Sequence, residues 1–343
     1  MKIIQGIEGD YIETKKDNLF FDVKGLLHPD DYIICFLRFF PHPEGVRLKN
    51  GIKFRKVYKL DERYAILREK YPDYLFFSEE LDLEVQGVKK KEIKKIYTPR
   101  NFFKKLLEKI NLPSIEIRSR ELCELLISQG NLSEDSIGIT GSTMIGLNTG
   151  DSDIDIIIYG TEESLKFQEY LEQIFKKSNK IRKYNDDEYK SHYQWRAGGS
   201  DIPFEDFLKS EQRKLHQGKF MAHDFFIRYI KSPKDWKGNF YDYQYKNLGR
   251  IKLKAEIINS KDSIFTPCSY KINPITVLEC RINVDNIKEI SEINSFRGRF
   301  CEQAREREIV LVEGKLEKVM YKNKLEYFRV LLNNPIHDKM III

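Results

Sequence analysis

Apolar residues in the first part of the chain come in short alternating runs, Tyr11-Ile12, Leu19 to Val23 and Tyr32 to Phe40. Turn-forming stretches separate them, His28-Pro29-Asp30-Asp31 and Pro41-His42-Pro43-Glu44-Gly45. A period of two with such punctuation predicts antiparallel strands. Asp61 to Tyr71 reads as a short helix ended by Pro72. From residue 98 the period lengthens. Thr98 can cap a helix with Pro99 in its first turn, and Phe102, Phe103, Leu106, Leu107 and Ile110 give it an apolar face. A second helix over Arg118 to Gln129 buries Leu122, Leu125 and Leu126 and stops at Gly130. Then come a strand (Ile137 to Thr140), a Gly141-Ser142 turn, one helical turn, a strand (Asp153 to Tyr159) and a helix (Thr161 to Lys177).

Ser178 to Lys190 reads as an exposed loop, Glu211 to His216 as a short basic helix, and Phe220 to Ile230 as a strand. Short strands return after Tyr241: Arg250 to Ile258, Ser263 to Ile272, Val277 to Ile282, Glu308 to Val319 and Leu325 to Leu332, with a hairpin tip at Tyr321-Lys322-Asn323-Lys324. This predicts an α+β chain. A central mixed sheet with helices (98–240) is flanked by an N-terminal antiparallel β domain (1–97) and a small barrel-like β domain (241–343).

Composition narrows the picture little. The 343 residues exceed what one core organises, and 41% hydrophobic with 33% charged residues describes an ordinary water-soluble protein. No apolar run spans a bilayer and the start MKIIQGIEGDY lacks a signal-peptide core, so a cytoplasmic location without membrane attachment is expected. The five cysteines form no C-x-x-C pair, which argues against structural zinc and a disulfide framework. A net charge of +6 permits a polyanionic partner without demanding one.

The stretch Ile137 to Gly160 carries the chemistry. Alternation along Asp153 to Tyr159 turns Ile154, Ile156 and Ile158 one way and Asp153 and Asp155 the other. Two carboxylates side by side on a buried strand call for a cation. Hard oxygen ligands two residues apart suit Mg²⁺, which takes one or two carboxylates plus substrate phosphates. Gly141 lets the backbone approach an anion, and Ser142 with the amides of Ser142 and Thr143 offers donors to a phosphate.

Gly141-Ser142, ten residues, then Asp153-Ile154-Asp155 on an apolar strand resembles the signature of the DNA polymerase β-type nucleotidyltransferase superfamily. The resemblance covers approximately residues 98 to 235, and the flanking β regions resemble uncharacterised archaeal predicted nucleotidyltransferases. It implies transfer of NMP from an NTP, ATP among them, to a hydroxyl, with two Mg²⁺ ions (Mn²⁺ in their place) on Asp153, Asp155 and a third carboxylate. Asp224, before an apolar strand, is the choice for that third acid; Asp201, Glu205 and Asp206 are its rivals. Lys219 and Arg228, with Arg196, are candidates to neutralise the triphosphate.

The expected acceptor is RNA, such as a tRNA-like 3′ end, with DNA a second candidate. The motive is cations interleaved with aromatics, Arg38 to Tyr58 and Phe296-Arg297-Gly298-Arg299-Phe300. The competing readings are a nucleic-acid-binding protein with a vestigial core, and an enzyme that nucleotidylates a protein partner. Nothing in the sequence fixes the oligomeric state.

Overall fold

The computed structural model describes residues 5–197, 199–280 and 287–343. They form a mixed α/β structure in two compact units. The first comprises Met1–Ser78, Leu83–Ile181 and Lys219–Phe240; the second comprises Glu79–Asp82, Arg182–Gly218 and Tyr241–Ile343. A boundary falls at the expected division at 240, but the expected division at 97 lies inside the first unit, because the N-terminal strands share an apolar core with the segment after residue 140, and Arg182–Gly218 of the expected central region belongs to the second unit.

In the first unit, β1 (Tyr11–Thr14), β2 (Phe20–Val23), β3 (Tyr32–Pro41), β4 (Arg47–Lys49) and β5 (Ile52–Lys56) precede helix α1 (Leu60–Lys70). They are followed by β6 (Leu75–Ser78), β7 (Leu83–Lys89) and β8 (Ile93–Tyr97). The strand order is β4-β5-β3-β2-β1-β8, with β7 on β3 and β6 on β7. One face buries Ile12, Phe21, Leu37 and Val88 with Leu67 of α1. The other buries Tyr11, Phe20, Phe39 and Phe54 against Met144, Ile145 and Leu147. The aromatic residues of the basic N-terminal stretch are therefore mostly interior; Tyr58, 54% exposed, is the one left at the surface.

Next come α2 (Pro99–Glu108), α3 (Ser114–Gly130), β9 (Ile137–Thr140), α4 (Gly141–Met144), β10 (Ile154–Tyr159) and α5 (Thr161–Lys177). Helix α3 starts earlier than the periodicity predicts. Asn131, at φ 54°, takes the left-handed position that ends it, a conformation Asn tolerates. After β11 (Ile181–Arg182) the polar segment is not loop throughout: α6 (Asp186–Ala197) begins inside it, with Asp186, Asp187 and Glu188 in its first turn where acids favour a helix. The short helix expected at 211–216 is instead α7 (Phe204–Glu211), which starts after Pro203 and buries Phe207. Then follow β12 (Gln217–Phe220) and β13 (His223–Ile230), parted by Met221 at φ 53°. The sheet order is β11-β12-β13-β10-β9.

The second unit carries β14 (Tyr243–Asn259), β15 (Cys268–Cys280), β16 (Ile290–Ser295), β17 (Ile309–Tyr321), β18 (Lys324–Leu331) and β19 (Lys339–Ile342). Their order is β14-β15-β16-β18-β17-β19, and β14 also pairs with β17. Residues 261–264, expected near the start of a strand, form a 3₁₀ turn, and β15 runs through both segments expected as strands over 263–282 as far as Cys280. The expected end at Ile282 lies outside the described residues. Arg299 does not face solvent as the cation-aromatic reading supposed: it is 8% exposed and donates to the carbonyls of Pro335 (2.9 Å) and Asp338 (3.2 Å). Among the described residues no helix is long and apolar enough to cross a membrane.

Candidate active site

Strand β10 pairs antiparallel with β9, Asp155 opposite Thr140, and parallel with β13, Ile154 opposite Phe225 and Asp155 opposite Phe226. Partners across a ladder share a face. Asp155 thus shares its face with Phe226, and by alternation with Asp153, Asp224 and Arg228. On the other face Ile154, Ile156 and Ile158 are fully buried, as the alternation predicts. Asp153 precedes β10 and is exposed; Asp155 is half-buried. The ladder sets Asp153 one step before Ile154 and Asp224 one step before its partner Phe225, so the two acids are level.

Gly141, at φ +76°, opens the one-turn helix α4. A Cβ there would lie 2.2 Å from Asp155 Oδ2, so the position needs glycine both for its backbone and for the carboxylate packed on it. Ser142 is buried and its hydroxyl donates to Ser152 Oγ at 3.3 Å. Ser152 Oγ also accepts the Thr149 amide at 2.9 Å, and the Leu147 amide returns to the Ser142 carbonyl at 2.9 Å. Thr143 Oγ1 is buried without a hydrogen-bond partner. From the N-terminal sheet, Arg47 and Lys49 donate to the carbonyls of Leu147 and Ile145 and so brace the loop after α4.

The cations expected at a triphosphate are engaged with carboxylates. Lys219 Nζ holds Asp224 Oδ2 at 2.9 Å. Arg228 is interior: its guanidinium lies 2.9 Å from Glu8 and 3.7 Å from Asp22, both buried, and Lys24 reaches the same two acids at 3.0 and 2.9 Å. Burial opposes the Arg228 charge, but Asp22, Glu8 and Asp155 outweigh it and raise its pKa. Burial likewise opposes the Asp22 charge, yet Lys24, Arg228 and Arg38 hold its carboxyl down at about 2. The rivals to Asp224 belong to the second unit. Asp201 is paired there with Lys339 and Asp206 with Lys209 (3.1 Å), Glu205 lies beside Asp206 on α7, and Arg196 reaches Gln217 at 3.3 Å.

Several residues near the site went unnoticed in the sequence. Glu8, Asp22 and Lys24 complete the ion network under Arg228, and Asp10 accepts the amides of Gly6 (2.6 Å) and Ile7 (3.2 Å). Burial drives the Asp10 carboxyl up to about 8. Lys56 and Arg38 both feel the charge of Asp155. One signal was available: Asp22 is a lone acid inside the apolar run Leu19 to Val23.

Asp153 and Asp155 are hard oxygen donors on one strand face, a donor set that fits a divalent cation completed by substrate phosphates. Among the described residues no three His, Cys, Asp or Glu side chains stand close enough to hold a metal by themselves.

A family model described as a nucleotidyltransferase domain matches residues 119–213. That span contains Gly141, Ser142, Asp153 and Asp155 and ends before Asp224. The chain is 30% identical over 332 residues to an uncharacterized protein, MJ1086, of Methanocaldococcus jannaschii, covering 94% of each. No solved structure matches.

Proposed function

We propose, for a chain that belongs to the DNA polymerase β-type nucleotidyltransferase superfamily, that it moves a nucleoside monophosphate from an NTP to a hydroxyl of RNA and releases pyrophosphate. The observation that carries this reading is the carboxylate pair Asp153 and Asp155 on one face of β10, with Asp155 packed against the Gly141 turn. Those two acids would hold Mg²⁺, with Asp224 level on the neighbouring strand as the third oxygen donor. Bound there, Mg²⁺ supplies positive charge to the triphosphate and to the attacking oxygen.

The protein's own groups do the rest. Gly141, Ser142 and Thr143 present backbone donors to the phosphates at a turn braced by Arg47 and Lys49. Asp224, with Oδ2 on Lys219, has Oδ1 to take the proton of the acceptor hydroxyl. The acceptor oxygen bonds to the α-phosphorus, the bond to the bridging oxygen breaks, and pyrophosphate leaves. Arg228 keeps the strand bearing Asp224 fixed to Glu8 and Asp22 instead of meeting the phosphates itself.

RNA as acceptor is supported by aromatic rings beside cations. In the second unit Tyr243 and Tyr245 stand parallel at 6.0 Å, and Lys322 lies 5.3 Å from the Tyr321 ring. The test is incubation with labelled NTPs, Mg²⁺ and total RNA. Labelled RNA, lost in Asp153→Ala and Asp155→Ala, supports the proposal. Tight RNA binding with no transfer by the intact chain sinks it, and labelled protein reassigns the acceptor.

A further inference from the structure

Resting on that reading, we propose that Lys56, in the cavity it lines, and Arg38 of the N-terminal sheet bind the triphosphate of the incoming nucleotide.

The register of the sheet carries the argument first. Phe20 pairs with Phe39 and Phe21 with Leu37, so Arg38 is the extra residue of a β-bulge between β2 and β3. Bulges re-aim a side chain. Here the guanidinium is turned to Tyr11 and Asp22, within the field of Asp155, and its Nε is buried with no hydrogen-bond partner. Lys56 pairs across β5–β3 with Phe39, which packs with Tyr11 and Met144 on the side of the sheet that meets the α4 segment. A cavity of about 340 Å³ opens at Lys56, lined also by Glu44, Gly45, Val46, Arg47, Arg55 and Tyr58.

Charge carries it second. Lys56 is repelled by Arg38 and Arg47, and its attraction is to Asp155 and Asp153. Those are the acids assigned to the metal. Once their charge is claimed, Lys56 and Arg47 line a cavity whose one lining acid is Glu44, Arg55 there being paired with Glu62, and crowded cations in excess of acids favour an anion. Lys219 and Arg228, the cations the sequence suggested, are held by Asp224, Glu8 and Asp22. A linear polyphosphate next to the catalytic acids supplies the missing negative charge at the right place.

The test is calorimetric titration of the full chain with inorganic tripolyphosphate, with Mg-ATP and with a single-stranded oligoribonucleotide. Lys56→Gln is expected to weaken tripolyphosphate and Mg-ATP binding about 10–100-fold, the worth of one charge-assisted hydrogen bond. Lys56→Arg should restore it, and Arg38→Gln should weaken it where its melting curve shows a folded chain. Lys53→Gln, on an exposed position of the same strand, is the control. Equal affinity of wild type and Lys56→Gln, or no tripolyphosphate binding by wild type, overturns the proposal. So does loss of oligonucleotide binding alone, which gives the cavity to the acceptor. Transfer by wild type is scored separately: transfer with an unchanged KM for NTP in Lys56→Gln sinks only the cavity assignment. Tripolyphosphate binding that depends on Lys56, without transfer to any acceptor, sinks only the enzymatic reading.

Discussion

Asp155 Oδ2 rests 2.2 Å from where the Cβ of any residue other than glycine at position 141 would have to be. The turn and the acid are therefore one object. Gly141→Ala forces the carboxylate off its place and puts a side chain at φ +76°, a strain of roughly 1–3 kcal/mol. The expected outcome is a lower melting temperature and transfer reduced on the order of 100-fold, since an Å of misplacement costs that much. Transfer at the wild-type level in the alanine variant would show that Asp155 need not sit against the turn.

Asp153→Asn and Asp155→Asn keep the side-chain shape and remove the charge. A ligand that binds the folded state alone stabilises it, by about 2.7 kcal/mol at one hundred times its Kd. Mg²⁺ is therefore expected to raise the Tm of wild type and to leave both variants where EDTA leaves them. The readout is a melt with and without metal, and it needs no acceptor. A Mg²⁺ shift of wild-type size in both variants would place the metal elsewhere.

Such contrasts explain what the sequence could and could not tell. Asp153, Asp155 and Gly141 were legible because spacing within one stretch of chain decides which side of a strand they face. Asp224 was legible as an acid before an apolar strand, and the parallel register with β10 sets it level with Asp153. The place of Arg228 is not legible in the sequence, because its partner Glu8 lies 220 residues away and no local pattern links them. Helix α6 was missed because Tyr189 and Ala197 are its buried residues, too few to print a helical period. Arg38 belongs to a basic stretch in the sequence, but the bulge that re-aims it comes from a pairing invisible in one strand.

The ion network under the site makes Arg228 structural. Glu8 and Asp22 are buried, and removing one of the two cations they share leaves Lys24 alone against two carboxylates. Arg228→Met is expected to cost about 3–5 kcal/mol of stability, read from the midpoint of guanidinium unfolding. The low pKa of Asp22 sets a pH sign: its stabilisation is present above the unfolded value of 3.8 and is lost as pH falls towards about 2. A smaller loss for Arg228→Met than for an exposed Lys→Met control would refute the network.

Asp10 has the opposite sign. Its carboxyl is raised by burial from 3.8 to about 8, so the folded chain holds a proton that the unfolded chain releases. Its contribution is fully present below pH 3.8 and is lost as pH rises through about 8, a slope near 1.4 kcal/mol per pH unit for one proton. Asp10→Asn still offers an oxygen to the amides of Gly6 and Ile7 and has no proton to lose. Wild type should therefore lose stability relative to Asp10→Asn between pH 5 and pH 8. Parallel pH profiles for the two chains would show that Asp10 is ionised throughout.

Lys219 and Asp224 give the sharpest test of the third acid. With Nζ 2.9 Å from Oδ2, the lysine competes with any metal for that carboxylate. Lys219→Met removes the competitor while Asp224 stays, so the Mg²⁺ concentration for half-maximal transfer should fall. Asp224→Asn removes the acid, and transfer should drop on the order of 10²–10³-fold, with Mg-ATP binding changed far less because Asp153 and Asp155 remain. The two variants thus move opposite quantities, metal requirement and rate, and a fold defect cannot imitate both. If Lys219→Met leaves the metal requirement unchanged and Asp224→Asn transfers normally, the pair is only a surface ion pair and the third ligand lies on another residue.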